Sequence, residues 1–164
     1  YPLRRQRQMR IRDRTWTGAP TIYYGDEAGV CGFTDPDNRR TYPWGHEDQV
    51  LLAFHKDIIR LRRENEELRS GSLKMLESDY NFISYGRFNR KGQCAVLINN
   101  NNHPITKEIH VWEIGTPKTG KMKVILQSRD DGYCMEGAEY EIKAGKILIE
   151  MPQTSATILK FIEE

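Results

Sequence analysis

Side chains that could carry chemistry are concentrated between residues 26 and 46 of this 164-residue chain. Asp26 and Glu27 are adjacent carboxylates, and a pair of carboxylates can act as general acid and as base or nucleophile. Asp35 and Arg39 lie four residues apart around a proline, so their charges can pair and hold a loop. Contact with a ligand is the alternative role for both side chains. The histidines fall in no metal-ligand pattern, so the sequence predicts neither a metal site nor a cofactor.

Three consecutive elements must position these residues. Residues 19–25 are β-branched, aromatic and glycine-terminated, which is typical of a strand. Residues 26–45 are rich in Gly, Pro, Asp and Asn without periodicity, and they predict a long loop of the kind that is often functional. Residues 46–64 predict a helix with one apolar face. That face consists of Leu51, Phe54, Ile58 and Leu61.

The rest of the chain, residues 69–164, has a different pattern. Short apolar runs alternate with a period of two and are separated by turn-forming residues such as Asn-Arg-Lys-Gly and Asp-Asp-Gly. Many short strands at this spacing predict an antiparallel β-sandwich or barrel. A composition with 38% hydrophobic residues provides enough apolar material for a modest core and argues against wholesale disorder.

Two motifs resemble a known family. Residues 17–27, T-G-A-P-T-I-Y-Y-G-D-E, resemble the last barrel strand of the α-amylase superfamily of glycoside hydrolases (family 13). Residues 35–44, D-P-D-N-R-R-T-Y-P-W, resemble a loop of its neopullulanase, cyclomaltodextrinase and maltogenic amylase branch. The resemblance implies that residues 1–68 end a catalytic (β/α)₈ barrel and that residues 69–164 form a C-terminal antiparallel Greek-key β-sandwich. The implied fold class is mainly β.

The same resemblance implies a function for the longer parent protein. Such enzymes hydrolyse α-1,4-glucans (maltodextrin, cyclodextrin or pullulan) with retention, by double displacement between two carboxylates. Asp35 and Arg39 would contact glucose units on the non-reducing side of the cleavage point, because they supply acceptors and forked donors to hydroxyl groups. Tyr42 and Trp44 would stack on sugar faces. The catalytic carboxylates would lie upstream of Tyr1, so we expect this chain alone to be inert, with Asp26 and Glu27 structural.

If the rest of the barrel is absent, another surface must shield the apolar groups of Ile22, Tyr23 and helix 46–64 from water. We expect this region to dock on the β-domain, to form a homodimer or to be poorly ordered. Residues 1–16 depart from the family, since residues 1–14 hold six arginines and one aspartate, a net charge of +5 in a chain of +2. Burial of so many arginines is costly, so an atypical solvated basic arm is expected. Nonspecific nucleic-acid binding is the alternative, although we expect no nucleic-acid partner.

The β-domain has an alternative role as a non-catalytic sandwich that stabilises the barrel or binds glycan. Its aromatic residues could form a sugar platform, although aromatic residues on strands more often belong to the core. These residues are Tyr80, Phe82, Tyr85, Phe88, Trp112, Tyr133 and Tyr140.

Cys31, Cys94 and Cys134 are too widely spaced for a disulfide framework or a zinc site. They favour a reducing compartment, and hence a cytoplasmic protein. No apolar run reaches the length of about 18 residues that spans a bilayer, and no membrane partner is expected.

Overall fold

A computed structural model describes residues 2–163, with side chains from residue 5 onward. Tyr1 and the side chain of Arg4, which belong to the predicted basic arm, lie outside this description. The described helices are α1 (Pro2–Thr15), α2 (Gln49–Glu64) and α3 (Glu66–Ser70). The described strands are β1 (Ser72–Asp79), β2 (Phe82–Phe88), β3 (Gln93–Asn99), β4 (Ile105–Ile109), β5 (Gly120–Ser128), β6 (Tyr133–Cys134), β7 (Glu139–Ile142), β8 (Ile147–Met151) and β9 (Ser155–Ile162).

The strands form two antiparallel sheets. In the larger sheet β1, β2, β3, β9, β5 and β6 are neighbours in that order, and β7 pairs with the opposite end of β5. β4 and β8 form the second sheet, so the chain leaves the large sheet twice before β9 returns between β3 and β5. The predicted mainly β, antiparallel architecture is confirmed.

The large sheet is buried on both faces, as β3 illustrates. Ala95 and Leu97 face the two-stranded sheet and share a core with apolar residues of β4 and β8. Cys94 and Val96 face the opposite way and share a second core with α1 and α2. A strand that is covered on both faces has a continuous apolar sequence rather than a strict alternation. The helices are therefore part of the same packed unit as the sheets.

α2 confirms the predicted helix, although it begins at Gln49 rather than at residue 46. The carboxylate of Asp48 accepts a hydrogen bond from the backbone N–H of Leu51 at 2.9 Å, which is a helix N-cap. His46 and Glu47 precede this cap and stay outside the helix. The predicted apolar face is buried against the large sheet, so this helix docks on the β-domain.

The structure corrects the expectation of a solvated arm over residues 1–16, because residues 2–15 form the packed helix α1. Ile11 is fully buried in the core between α2 and the large sheet. The buried Gln8 amide donates to the carbonyl oxygens of Asn99 at 2.8 Å and Ser155 at 3.1 Å. These two residues are opposite each other at the ends of β3 and β9. α1 therefore closes one end of the large sheet.

The side chains of Arg7 and Arg12 in α1 bond to groups of the protein itself, whereas within residues 5–163 that of Arg14 does not. Arg7 donates to the carbonyl oxygen of Arg129 at 3.0 Å, and Arg12 donates to the carboxylate of Asp13 at 2.9 Å. Arg14 is 1% exposed, and its guanidinium nitrogens have no hydrogen-bond partner among the described residues. Burial and the nearby Arg10 lower the pKa of Arg14. For Arg7, sequence reasoning overestimated the cost of burial, because backbone carbonyl oxygens accept hydrogen bonds from its guanidinium.

Residues 19–25, predicted as a strand, form no strand and have no strand partner within residues 2–163. A strand needs a neighbour to satisfy its backbone N–H and C=O groups, and no neighbour lies alongside here. The segment instead ends in a turn, in which the Asp26 N–H donates to the carbonyl oxygen of Tyr23 at 3.1 Å. Ile22 and Tyr23 are 37% and 56% exposed. Only part of residues 1–68 therefore docks on the β-domain, residues 69–164.

Candidate functional site

The loop between residues 26 and 45 is tied to the fold at three points. The guanidinium of Arg10 in α1 lies 2.6 Å from the carboxylate of Asp26. The hydroxyl of Tyr24 donates to the carbonyl oxygen of Arg40 at 3.0 Å. The Asp48 N–H donates to the carbonyl oxygen of Ala28 at 3.1 Å, which joins the start of the loop to the start of α2. These bonds join the loop to α1, to the segment before it and to the start of α2.

Asp35 and Arg39 form a two-point ion pair on this loop. Arg39 Nε lies 2.8 Å from Asp35 Oδ1, and Nη2 lies 2.9 Å from Oδ2. The side chains remain 57% and 68% exposed, so the pair stabilises the fold by at most about 1 kcal/mol. The structure thus brings the two predicted residues together, as the pairing alternative requires. Their donors and acceptors are accessible to a ligand with hydroxyl groups.

A second ion pair lies beside the first. Arg40 donates to Asp37 Oδ1 through Nε at 3.1 Å and Nη2 at 2.7 Å, while Asp37 Oδ2 accepts the Phe33 N–H at 3.1 Å. Hydrogen bonds from Arg40 and from the Phe33 backbone lower the pKa of Asp37. The Phe33 side chain is 91% exposed. Sequence reasoning missed these residues, although an aromatic residue inside an aperiodic polar loop was a usable signal.

Tyr42 and Trp44 form an aromatic pair at the end of the loop. Their ring centroids are 4.5 Å apart at an interplanar angle of 48°. Trp44 is 80% exposed, whereas Tyr42 is half-buried. Desolvation, followed by the nearby carboxylates of Glu27 and Glu47, raises the pKa of Tyr42. All four predicted site residues therefore lie on one loop, in two pairs with their side chains partly or largely in solvent.

Asp26 and Glu27, the two adjacent carboxylates, have different surroundings. Asp26 bonds to Arg10, as described above, and Glu27 Oε2 is buried without a hydrogen-bond partner among the described residues. Nearby, His55 of α2 is 2% exposed, and both of its ring nitrogens also lack such a partner. Burial, followed by the charges of Arg14 and Arg10, lowers the pKa of His55 to about 4. This histidine is a neutral packing residue at neutral pH.

Within the described part of the chain, no group of three or more His, Cys, Asp or Glu side chains could hold a metal ion. The three cysteines are free, with Cys31 exposed, Cys134 half-buried and Cys94 buried. None of the described helices combines the length and the apolar character that a membrane crossing demands.

The fold and the sequence match define the class of protein. Residues 74–162, which run from β1 to the end of β9, match the family model described as "Alpha amylase, C-terminal all-beta domain". This match covers more than half of the chain, so the chain belongs to the α-amylase C-terminal all-β domain family. The predicted resemblance to the α-amylase superfamily is confirmed.

Particular relatives refine this placement. The chain is 33% identical over 160 residues to an amylopullulanase of Thermoanaerobacter thermohydrosulfuricus, covering 96% of this chain and 11% of that protein. It is 36% identical over 132 residues to a cyclomaltodextrinase of Thermoanaerobacter pseudethanolicus, covering 79% and 23%, respectively. The crystal structure of an α-amylase from Geobacillus thermoleovorans superposes with a TM-score of 0.84 at 20% identity, covering 100% of this chain and 34% of that one. The chain thus spans from about a tenth to about a third of these proteins.

Proposed function

We propose that this chain is the C-terminal part of a glycoside hydrolase that acts on α-1,4-glucans such as maltodextrin, cyclodextrin or pullulan. The names of the similar proteins, amylopullulanase and cyclomaltodextrinase, support this substrate class. In this proposal the catalytic carboxylates lie in a preceding barrel and act by double displacement. The 164-residue chain supplies one wall of the cleft and the β-domain behind it.

The main support for this proposal is the set of exposed side chains on the 26–45 loop. Four side chains that are close in sequence remain at least partly exposed: Asp35, Arg39, Tyr42 and Trp44. Packing of the hydrophobic core does not require their exposure. An exposed ion pair adds little stability, so a ligand role explains the forked donor and acceptor better than a folding role does. A half-exposed aromatic pair beside these groups suits the apolar face of a sugar ring.

Two assays test this proposal. The 164-residue chain alone should release no chromophore from a chromogenic maltooligosaccharide, and turnover by the pure chain would contradict the proposed division of labour. In the longer protein that the proposal implies, Arg39→Ala and Trp44→Ala should each lower kcat/KM for maltoheptaose by about tenfold, equivalent to about 1.4 kcal/mol. Arg60→Ala is the matched control because Arg60 is also an exposed, ion-paired arginine, but on α2. Unchanged kcat/KM in both loop variants would overturn the role of the loop.

The β-domain has a second proposed role as a support for the barrel region. The core that contains Phe54 and Ile58 of α2 also contains Val96 of β3 and Ile158 of β9. This shared core supports a stabilising function, since removing the sheet would expose the apolar face of α2. Separation of α2 from the sheet without loss of its helical structure would argue against this role.

We also propose a homodimer, a cytoplasmic location and the absence of a nucleic-acid partner. The exposed Ile22, Tyr23 and Tyr24 support a homodimer through this surface, which a monomeric mass in size-exclusion chromatography with light scattering would contradict. The free cysteines support a reducing, cytoplasmic location. The intramolecular bonds of the α1 arginines support the absence of a nucleic-acid partner. Steeply salt-dependent DNA binding would reverse that last proposal.

A further inference from the structure

Trp112 is an exposed aromatic residue on the β-domain that the proposed cleft does not use. It lies in a short 3-10 helix, Val111–Ile114, between Val111 and Ile114, whose side chains are fully buried. Trp112 itself is 51% exposed, whereas Phe82 and Tyr85, two other aromatic residues of the domain, are 3% and 0% exposed. Because its neighbours anchor the helix in the core, the indole faces outward as a consequence of the fold.

Trp112 packs against the turn between β7 and β8. The backbone N–H of Trp112 donates to the carbonyl oxygen of Gly145 at 3.0 Å. A Cβ atom on Gly145 would lie 2.8 Å from both Cβ and Cδ1 of Trp112, so the ring rests directly on the glycine backbone. Gly145 also has a φ of 82°, which favours glycine. A ring that is already fixed loses little conformational entropy when it binds a ligand.

His110 lies two residues before Trp112, and Lys146 directly follows the Gly145 that the indole contacts. Lys146 Nζ donates to Glu108 Oε1 at 2.8 Å, and His110 Nε2 lies 3.6 Å from the same oxygen. On the other side, His110 Nδ1 lies 3.7 Å from Glu113. Glu108 and His110 also line a cavity of about 370 Å³ between β1 and β4, with Thr106 and Glu77. The cavity is within the size range of ligand sites, and its rim offers both donors and acceptors.

The charges on this surface identify the kind of ligand. Glu108 is paired with Lys146, and Glu113 lies 3.2 Å from Lys74, so each carboxylate has a lysine and the surface has no excess of either sign. A nucleic acid or a strongly charged peptide would need such an excess. A neutral polyhydroxylated ligand needs instead an aromatic face with hydrogen-bonding groups near it. Trp112 offers such a face, and His110 and Lys146 are the polar residues closest to Trp112 and Gly145 along the chain.

We propose that the Trp112 surface, defined as Trp112, Glu108, His110 and Lys146, is a second α-glucan-binding site. One glucosyl ring stacks on the indole, and its hydroxyl groups bond to Glu108, His110 and Lys146. The choice of α-glucan as the ligand rests on the proposed function. The site lies on the β-domain and uses no residue of the 26–45 loop, so it would retain the enzyme on a polymeric substrate without taking part in hydrolysis.

Titration of the 164-residue chain with maltoheptaose, followed by calorimetry, tests this proposal. Trp112→Ala should raise the Kd at least about tenfold, and Tyr80→Ala, at an aromatic residue of the β-domain that is 95% exposed and belongs to neither proposed site, should leave it unchanged. Lys146→Gln is a second variant that keeps the indole and should weaken binding severalfold. Thermal unfolding of each variant verifies that the fold is retained.

The outcomes separate this proposal from the proposed function. Absence of maltoheptaose binding to the wild-type chain at millimolar concentration, or wild-type affinity in Trp112→Ala, would overturn the second site. Binding that is lost only in Trp44→Ala would also overturn it, while supporting the loop. Failure of the proposed function is measured independently, as unchanged kcat/KM of the Arg39 and Trp44 variants in the longer enzyme.

Discussion

The guanidinium of Arg87 in β2 donates from Nη1 to the carbonyl oxygen of Thr15 at 2.6 Å, across 72 residues of sequence. Thr15 ends α1, and the last carbonyl groups of a helix have no partner within the helix. A cation at this end also complements the helix dipole. Nη2 of Arg87 reaches the carbonyl oxygen of Gly71 at 2.9 Å, just before β1. One buried side chain therefore joins α1, β1 and β2.

We expect Arg87→Met to lower the free energy of unfolding by about 3 kcal/mol, since it leaves two buried carbonyl groups without donors. Urea unfolding followed by circular dichroism measures this loss. Arg60→Met, at an exposed arginine of α2, is the control and should change stability by less than about 1 kcal/mol. Equal unfolding midpoints for the two variants would show that the Arg87 bonds contribute nothing net.

Gly86 should not tolerate a side chain. A Cβ atom at this position in β2 would overlap the side chain of Ile114, which is fully buried in the core between the two sheets. We expect Gly86→Ala to destabilise the fold by about 1–3 kcal/mol, the usual cost of overpacking. In a chain that also carries Ile114→Val, Gly86→Ala should cause a smaller loss in the free energy of unfolding. Strict additivity of the two substitutions in a double-mutant cycle would contradict a clash between these residues.

Stability should fall with acidification through the titration of His55. Its pKa is lowered to about 4 by burial and by the neighbouring Arg14 and Arg10, whereas an unfolded histidine titrates near 6.5. Between these pH values the unfolded chain binds a proton that the folded chain excludes, so unfolding becomes easier as the pH falls. The loss from this group reaches up to about 3 kcal/mol at pH 4.

The control for this pH dependence is His55→Leu, which replaces the titratable imidazole with an apolar side chain in the same packed position. Its free energy of unfolding, measured by urea denaturation from pH 7 to pH 4, should decline less steeply than that of the wild type. Parallel declines would assign the acid sensitivity to carboxylates elsewhere in the fold.

The three cysteines should react at three different rates. Burial, followed by the adjacent Glu67 carboxylate, raises the pKa of the Cys94 thiol well above its usual value. A maleimide should therefore label Cys31 fast, Cys134 more slowly and Cys94 only after denaturation, because reaction requires an accessible thiolate. Mass spectrometry of proteolytic peptides during labelling gives the order. Early labelling of Cys94 in native protein would contradict its place in the core.

The sequence predicted the β-domain well because its short runs and turns are local signals. It also predicted the apolar face of α2, since periodicity alone identifies Phe54 and Ile58. It did not predict α1, in which Gln8 and Arg7 are buried by bonding to backbone carbonyls more than 90 residues away. Such long-range partners leave no periodic pattern, so arginine content alone suggested a solvated segment.

The candidate site was predictable only by family resemblance. The residues themselves left open whether Asp35 and Arg39 pair or bind a ligand, and the structure shows a pair that stays accessible. Trp112 appeared in the sequence as one aromatic residue among eight in the β-domain. Its exposure depends on the buried Val111 and Ile114 beside it and on Gly145 from another turn, and neither relationship follows from spacing.

The position of β9 constrains how this domain can be made. Residues 155–162 complete the large sheet between β3 and β5, so both of those strands keep an open edge until this segment has left the ribosome. During synthesis the earlier strands can collapse together, but they cannot finish pairing. The nascent domain therefore passes through a stage in which β3 and β5 each have an unpaired edge, and a strand of a neighbouring chain can take the place of β9. Delay or premature termination just before residue 155 would favour aggregation over a shortened but folded product.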